Sequence, residues 1–113
     1  MEFNIIPDKD GLGKCTWCRD QINEDSEITC VGAMLKPAND LSEYQSHCIE
    51  LDLGAEKKQV CMMVTAKGSE AQNAGNDGLF MVCSDKCGRQ LKQALKKDAA
   101  LAELFQAFHE AKF

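Results

Sequence analysis

The sequence predicts an α+β fold: an antiparallel sheet of about four strands, followed by C-terminal helices and joined to them by a metal site. Three observations lead to this prediction. Short apolar runs bounded by turn residues fill positions 27–83. Apolar residues at helical spacing fill the last third of the chain. Two cysteine pairs, Cys15/Cys18 and Cys83/Cys87, lie on either side of the strand region.

Length and composition predict one domain over residues 1–113. The chain has 113 residues, of which 44% are hydrophobic and 27% are charged. This balance is typical of a globular protein rather than a disordered one. The net charge of −5 argues against a protein that coats nucleic acid.

The meaning of the seven cysteines depends on whether the protein resides in a reducing or an oxidising compartment. The opening stretch, Met1 to Pro7, is too short for a secretory leader and carries Glu2, and no apolar run is long enough to span a membrane. We therefore expect a cytoplasmic protein without a membrane partner. In a reducing compartment such cysteine spacings indicate metal binding or catalysis more often than disulfides.

Four segments have the composition of strands. They are residues 27–35, 43–53, 59–66 and 78–83. In the second segment Ile49, Leu51 and Leu53 alternate with acidic residues, as in a half-buried strand. Because the segments follow one another with short connections, an antiparallel meander is expected. The longest connection, residues 67–78, is rich in Gly and Asn and is interpreted as a solvated loop.

The remainder of the chain is predicted to be helical. Ser84 and Asp85 are helix-capping residues that directly follow Cys83, and Asp98 is a candidate cap for a second helix. Leu91 and Leu95 lie on one apolar stripe of the first helix. A second apolar stripe has the spacing i, i+3, i+4, i+7 and consists of Leu101, Leu104, Phe105 and Phe108. We expect this stripe to face the core. The pattern leaves open whether there is one kinked helix or two.

The cysteine pairs have the spacings C-x2-C and C-x3-C. Two intervening residues place both sulfurs on one side of a tight turn, and a cysteine one helical turn after a strand end lies on the same side as the first. Four thiolates from two such pairs form a closed tetrahedral shell, which is typical of a structural zinc site. The alternative is a redox dithiol or metal sensor that uses the same cysteines.

A resemblance supports the metal interpretation. Phe80-Met81-Val82-Cys83-Ser84-Asp85-Lys86-Cys87-Gly88-Arg89-Gln90-Leu91 resembles the second half of treble-clef zinc fingers of the TRASH-like and YHS-like group. The resemblance implies one Zn²⁺ held by Cys15, Cys18, Cys83 and Cys87. It also implies that residues 27–79 are inserted between the two halves of the finger. Members of the group take part in metal sensing, DNA-associated regulation and protein contacts.

Three cysteines remain, Cys30, Cys48 and Cys61, together with His47. They are expected either to pack in the core, as free cysteines commonly do, or to form a second metal site. Because His47 and Cys48 are neighbours, they point to opposite faces of a strand and cannot both bind one ion without a bulge. His109 is expected on the surface of the C-terminal helix.

The sequence contains no G-x-S-x-G, no H-E-x-x-H and no H-x-E with P-C-x-x-C. We therefore expect a protein-interaction or adaptor module rather than an enzyme. The first predicted helix carries Lys86, Arg89, Lys92 and Lys96 at three- and four-residue steps, which aligns them along one surface. This surface is the candidate partner site. The acidic net charge favours a protein partner over nucleic acid.

Overall fold

A six-stranded antiparallel sheet is the centre of the computed structural model, which describes residues 3–7, 13–22, 29–54 and 56–112. The strands are β1 (Ile5–Ile6), β2 (Thr29–Leu35), β3 (Cys48–Leu53), β4 (Lys58–Val64), β5 (Gly78–Val82) and β6 (Phe105–Lys112). Their order across the sheet is β1-β3-β4-β5-β2-β6. The α+β class is confirmed, whereas the prediction of about four strands is wrong.

The four predicted strands correspond to β2, β3, β4 and β5. Residues 27 and 28, which were assigned to the first of them, lie outside the described part of the chain. β3 begins only at Cys48, because a 3-10 helix, Ser42–Tyr44, occupies the start of the predicted segment. Ile49, Leu51 and Leu53 are buried on one face of β3, as their alternation predicts.

The strands do not form a simple meander. β3, β4 and β5 are consecutive neighbours, but β2 pairs with β5 and β6 instead of β3. The reason lies in the burial of β2, where Cys30, Val31, Gly32 and Ala33 are all buried. A strand that is buried on both faces belongs in the interior of a sheet, with a neighbour on each side.

Three helices accompany the sheet in the described part of the chain: α1 (Glu70–Asn73), α2 (Asp85–Lys97) and α3 (Ala99–Leu104). The C-terminal helical region is therefore two helices, separated at Asp98. The Asp98 side chain caps α3 by accepting from the N–H groups of Ala100 and Leu101, and it also accepts from the Gly54 N–H. α1 lies inside segment 67–78, so the prediction of a solvated loop there is wrong for the four residues of this helix.

The predicted C-terminal helix ends at Leu104, and the chain continues as β6. Phe105 lies opposite Leu35 and Ala107 lies opposite Met34, so Gln106 is an extra residue in the ladder, a β-bulge. The bulge brings Phe105 and Phe108 to the same buried face of the sheet. Because of the bulge, two residues three positions apart face the core, which is also the spacing of a helix face. The prediction of a helix over these residues is therefore wrong.

α2 and α3 cover one face of the sheet and bury the main hydrophobic core. Val31, Phe80 and Leu91 are central members of this core, and Cys15 and Cys87 belong to it as well. The opposite face carries a smaller cluster around Cys30, which also contains Leu79 and Met81. Among the described residues, no helix is both long and apolar enough to cross a membrane.

Candidate metal centre

Four cysteine sulfurs converge at the end of the sheet where β5 meets α2. The Sγ atoms of Cys15, Cys18, Cys83 and Cys87 all lie within 4.8 Å of one another. The Cys18–Cys83 distance is 3.5 Å and the Cys83–Cys87 distance is 3.7 Å. Four sulfurs arranged tetrahedrally at about 2.3 Å from an ion are about 3.8 Å apart. The cluster can therefore hold a metal ion with little rearrangement.

The start of α2 places one pair of ligands. Cys83 directly follows the last residue of β5, and Ser84 is the N-cap of α2. The Ser84 hydroxyl accepts a hydrogen bond from the Cys87 N–H at 3.2 Å. This cap holds Cys87 in the first helical turn, on the same side as Cys83, in agreement with the spacing argument.

A tight turn over residues 15–20 places the other pair. The Cys15 N–H donates to the Asp20 carbonyl, and the Arg19 N–H donates to the Cys15 carbonyl. The Cys18 N–H also points at the Cys15 sulfur, at 3.5 Å. Arg19 has φ = 72°, in the left-handed region that non-glycine residues seldom occupy. The turn folds back sharply at this residue.

Thr16 anchors this turn between two strands. The β4–β5 ladder contains only the pairs Met63–Leu79 and Val64–Gly78. Beyond them the Thr16 N–H donates to the Met81 carbonyl at 2.9 Å, and the Thr16 hydroxyl accepts from the Cys61 N–H at 2.6 Å. Thr16 thus supplies the hydrogen bonds that the two strands no longer make with each other. The sequence offers no signal for this role.

Trp17 connects the same turn to α2 and β4. Its Nε1 donates to the Gln90 side chain at 2.8 Å. The Lys58 ammonium lies 4.0 Å from the centre of the Trp17 ring and also donates to the Trp17 carbonyl. The cation–π contact and the two hydrogen bonds connect the turn to the two elements beside the cluster.

Burial divides the ligands into two kinds. Cys15 is fully buried and Cys87 is 8% exposed, so both are part of the main core. Cys18 and Cys83 are exposed. The cluster therefore has an inner pair, Cys15 and Cys87, and an outer pair, Cys18 and Cys83.

Burial and the neighbouring sulfurs oppose ionisation of Cys18 and Cys87. Desolvation raises the pKa of Cys87. For Cys18, a hydrogen bond from the Asp20 backbone lowers the pKa, but burial and the three neighbouring sulfurs outweigh it and raise the pKa to about 12. Burial alone would raise the pKa of Cys15, yet backbone N–H groups that include those of Cys18 and Cys83 lower it overall. A bound cation favours the thiolate form and so suits this donor set.

A second metal site finds no support among the residues that the structure describes. Within them, the four-cysteine cluster is the one group of three or more potential ligands that comes together. Cys30, Cys48 and Cys61 are buried on three different strands, whereas His47 is exposed. Burial raises the pKa of Cys30 to about 11, as expected for a thiol that packs like a small apolar side chain.

The candidate partner residues lie on the outer side of α2. Lys86, Arg89 and Lys96 are exposed, and Lys92 is partly buried, with its ammonium 3.9 Å from the Glu110 carboxylate. β6 adds Lys112, which lies 3.5 Å from Asp85. Nothing in the sequence indicates this contribution, because the spacing of Phe105 and Phe108 predicts a helix there instead of β6. His109, which was expected on that helix, is half-buried on β6.

Comparisons with protein-family models, with curated proteins and with solved structures found no match. The fold and the cluster themselves define the class: an α+β protein in which four cysteines can hold one metal ion.

Proposed function

We propose that this protein binds one structural zinc ion through Cys15, Cys18, Cys83 and Cys87. The convergence of all four sulfurs within 4.8 Å is the observation that carries this proposal. Four thiolates match the preference of zinc for sulfur ligands and tetrahedral geometry. The closed shell leaves no position for a substrate or an activated water, so the proposed role of the metal is structural.

The zinc would join two parts of the chain that are far apart in sequence. One pair of ligands lies on the turn over residues 15–20, and the other lies at the start of α2. The resemblance to treble-clef fingers supports this assignment, with β2, β3 and β4 inserted between the two halves. A reducing compartment such as the cytoplasm would keep all seven cysteines as thiols or thiolates.

Elemental analysis of reduced, purified protein tests the zinc site. We expect about one zinc per chain, since a closed four-thiolate shell holds a single ion. Cys83→Ser is expected to lose the metal, and Cys61→Ser is the matched control, because Cys61 is a cysteine outside the cluster. Native protein without metal, or a Cys83→Ser variant that retains it, would contradict the proposal.

We further propose that the module acts in protein interaction rather than in catalysis, with the outer side of α2 as the contact surface. Lys86, Arg89 and Lys96 are exposed there, whereas Lys92 is close to Glu110. A row of cations on a protein with net charge −5 favours an acidic protein partner over nucleic acid, because the rest of the molecule repels an extended polyanion.

Charge reversal tests this surface. The combined variant Lys86→Glu/Arg89→Glu should lose binding to an immobilised short acidic peptide, and Lys67→Glu, which changes an exposed lysine elsewhere, should keep it. Binding is expected to weaken between low and moderate salt, because exposed charges are screened over about 10 Å at 0.1 M. Equal binding by the two variants would contradict the surface, and preferential binding to duplex DNA would contradict the kind of partner.

A further inference from the structure

We infer that the outer pair, Cys18 and Cys83, is an oxidation site at which a peroxide converts two metal-binding thiolates into a disulfide and thereby releases the metal. The inference rests on the proposed zinc site and adds a chemical reaction to it. The two reactive cysteines come from different motifs: Cys18 from C-x2-C and Cys83 from C-x3-C.

Proximity and exposure select this pair. The sulfurs of Cys18 and Cys83 are 3.5 Å apart, and both side chains are exposed. The inner pair is shielded, since Cys15 is fully buried and Cys87 is 8% exposed. Access is one of the factors that determine which cysteines are oxidised. An oxidant in solution therefore reaches the outer pair first.

The local structure disfavours a disulfide within either motif. Cys15 lies in the main core, and its sulfur is approached by the Cys18 N–H rather than by solvent. Cys87 is held in the first turn of α2 by the Ser84 cap. Cys18 and Cys83 lie on connecting segments, outside any helix or strand. A disulfide of about 2.05 Å requires their sulfurs to approach by about 1.5 Å.

The reaction balances with hydrogen peroxide as the oxidant. One thiolate of the outer pair attacks a peroxide oxygen, the O–O bond breaks, hydroxide leaves, and a sulfenic acid forms. The second thiolate attacks that sulfur, the S–O bond breaks, the S–S bond forms, and a second hydroxide leaves. Two thiolates supply the two electrons that reduce one peroxide to two hydroxide ions.

The disulfide changes the metal site without separating the two halves of the fold. Only Cys15 and Cys87 remain as ligands, and two thiolates do not make the closed shell that retains zinc. The new covalent bond still connects the turn over residues 15–20 to the start of α2. Metal release is therefore expected to be reversible by a thiol reductant, which restores all four ligands.

Stoichiometric hydrogen peroxide added to the zinc-loaded native protein tests the inference. A chromogenic chelator reports released zinc, and mass spectrometry of digested protein locates the disulfide. We expect zinc release to parallel formation of a Cys18–Cys83 linkage, and excess dithiothreitol followed by zinc to reverse both. A dominant Cys15–Cys18 or Cys83–Cys87 linkage, or no release of zinc by peroxide, would overturn the inference.

A matched pair of histidine variants isolates the outer pair. Cys18→His and Cys87→His each exchange one thiolate for another zinc ligand, but Cys18→His alone removes an outer sulfur. Peroxide-driven zinc release from Cys18→His should be slower than from Cys87→His by about tenfold or more, because reactivity follows access to a thiolate. Cys83→His provides a second outer variant if Cys18→His does not fold. Equal rates for outer and inner variants count against the inference.

Zinc content measured before peroxide addition separates the two possible failures. Native protein that contains no zinc contradicts the proposed function. Native protein that contains zinc but retains it in peroxide, or forms a different disulfide, contradicts only the oxidation site.

Discussion

Thr16 shows how a single side chain holds the cysteine turn in the sheet. Its hydroxyl is the acceptor for the buried Cys61 N–H, and its own N–H donates to Met81. Thr16→Val keeps the shape but leaves the Cys61 N–H without an acceptor, which costs about 1–3 kcal/mol. Urea unfolding should show this loss, and zinc affinity should fall with it. Thr16→Ser keeps the hydroxyl and is the control; equal stability of the two variants would contradict the anchoring role.

The protons on Cys18 and Cys87 make metal binding depend on pH. In the metal-free fold the pKa of each is raised from the ordinary value of a cysteine thiol, that of Cys18 to about 12. At neutral pH and below, both thiols are therefore largely protonated in the folded and the unfolded chain. Raised thiol pKa values stabilise the metal-free fold at neutral pH, and this contribution is lost as pH rises through the folded-state values.

Zinc must displace these protons, so its apparent affinity should rise with pH. With at least two protons released, we expect the affinity to increase by at least about a hundredfold per pH unit between pH 6 and 8. Competition with a chelator of known pH dependence measures this slope. Cys61→Ser should show the same slope, because Cys61 is outside the cluster. An affinity independent of pH would mean that the thiols are already ionised without metal.

At the scale of elements, the bulge in β6 allows a test of the assignment of residues 105–112 to a strand. Because Gln106 is the extra residue opposite the Met34/Leu35 step, its deletion leaves Phe105 opposite Leu35 and Ala107 opposite Met34. The deletion should therefore be tolerated at a loss of about 1 kcal/mol, which corresponds to the hydrogen bond from Gln106 to Leu35. Phe108→Ala should cost about 3–5 kcal/mol, since Phe108 is buried. Thermal unfolding measures both, and a deletion as damaging as Phe108→Ala would contradict the strand assignment.

The sequence predicted those elements whose patterns are regular. Alternation in β3 and the caps at Ser84 and Asp98 are local signals, and each was found where expected. The β6 strand was mispredicted because its bulge imitates helical spacing. The position of β2 between β5 and β6 depends on non-local pairing, which no local pattern encodes.

The same distinction holds within the candidate metal centre. Cysteine spacing identified the four residues that converge, because each pair is placed by its own turn. The division into inner and outer sulfurs depends on which side of the folded core each residue faces, and Thr16 matters only because β4 and β5 separate beside it. These features arise from tertiary structure and have no signature in the spacing.

At the scale of the whole molecule, the candidate metal centre lies at the edge of the main hydrophobic core, to which it contributes only Cys15 and Cys87. Most of the main cluster is formed by side chains of the sheet and of α2 and α3, with Cys15 and Cys87 at one end. The turn over residues 15–20 is further held by Thr16 and by the contacts of Trp17. Loss of the metal should therefore loosen this end of the molecule before the sheet unfolds.

Stepwise removal of zinc from the native protein tests this order of events. Trp17 is the single tryptophan of the chain and lies beside the cluster, so its fluorescence reports the turn over residues 15–20, whereas far-ultraviolet circular dichroism reports the sheet. With increasing chelator we expect the fluorescence to change while the circular dichroism persists, and the melting temperature to fall, because a ligand that binds only the folded state stabilises it.

Gln90→Ala, which removes the hydrogen bond from Trp17, should shift the fluorescence transition to lower chelator concentration and leave the circular dichroism transition in place. Coincidence of the two signals at every chelator concentration would show instead that the whole sheet depends on the metal.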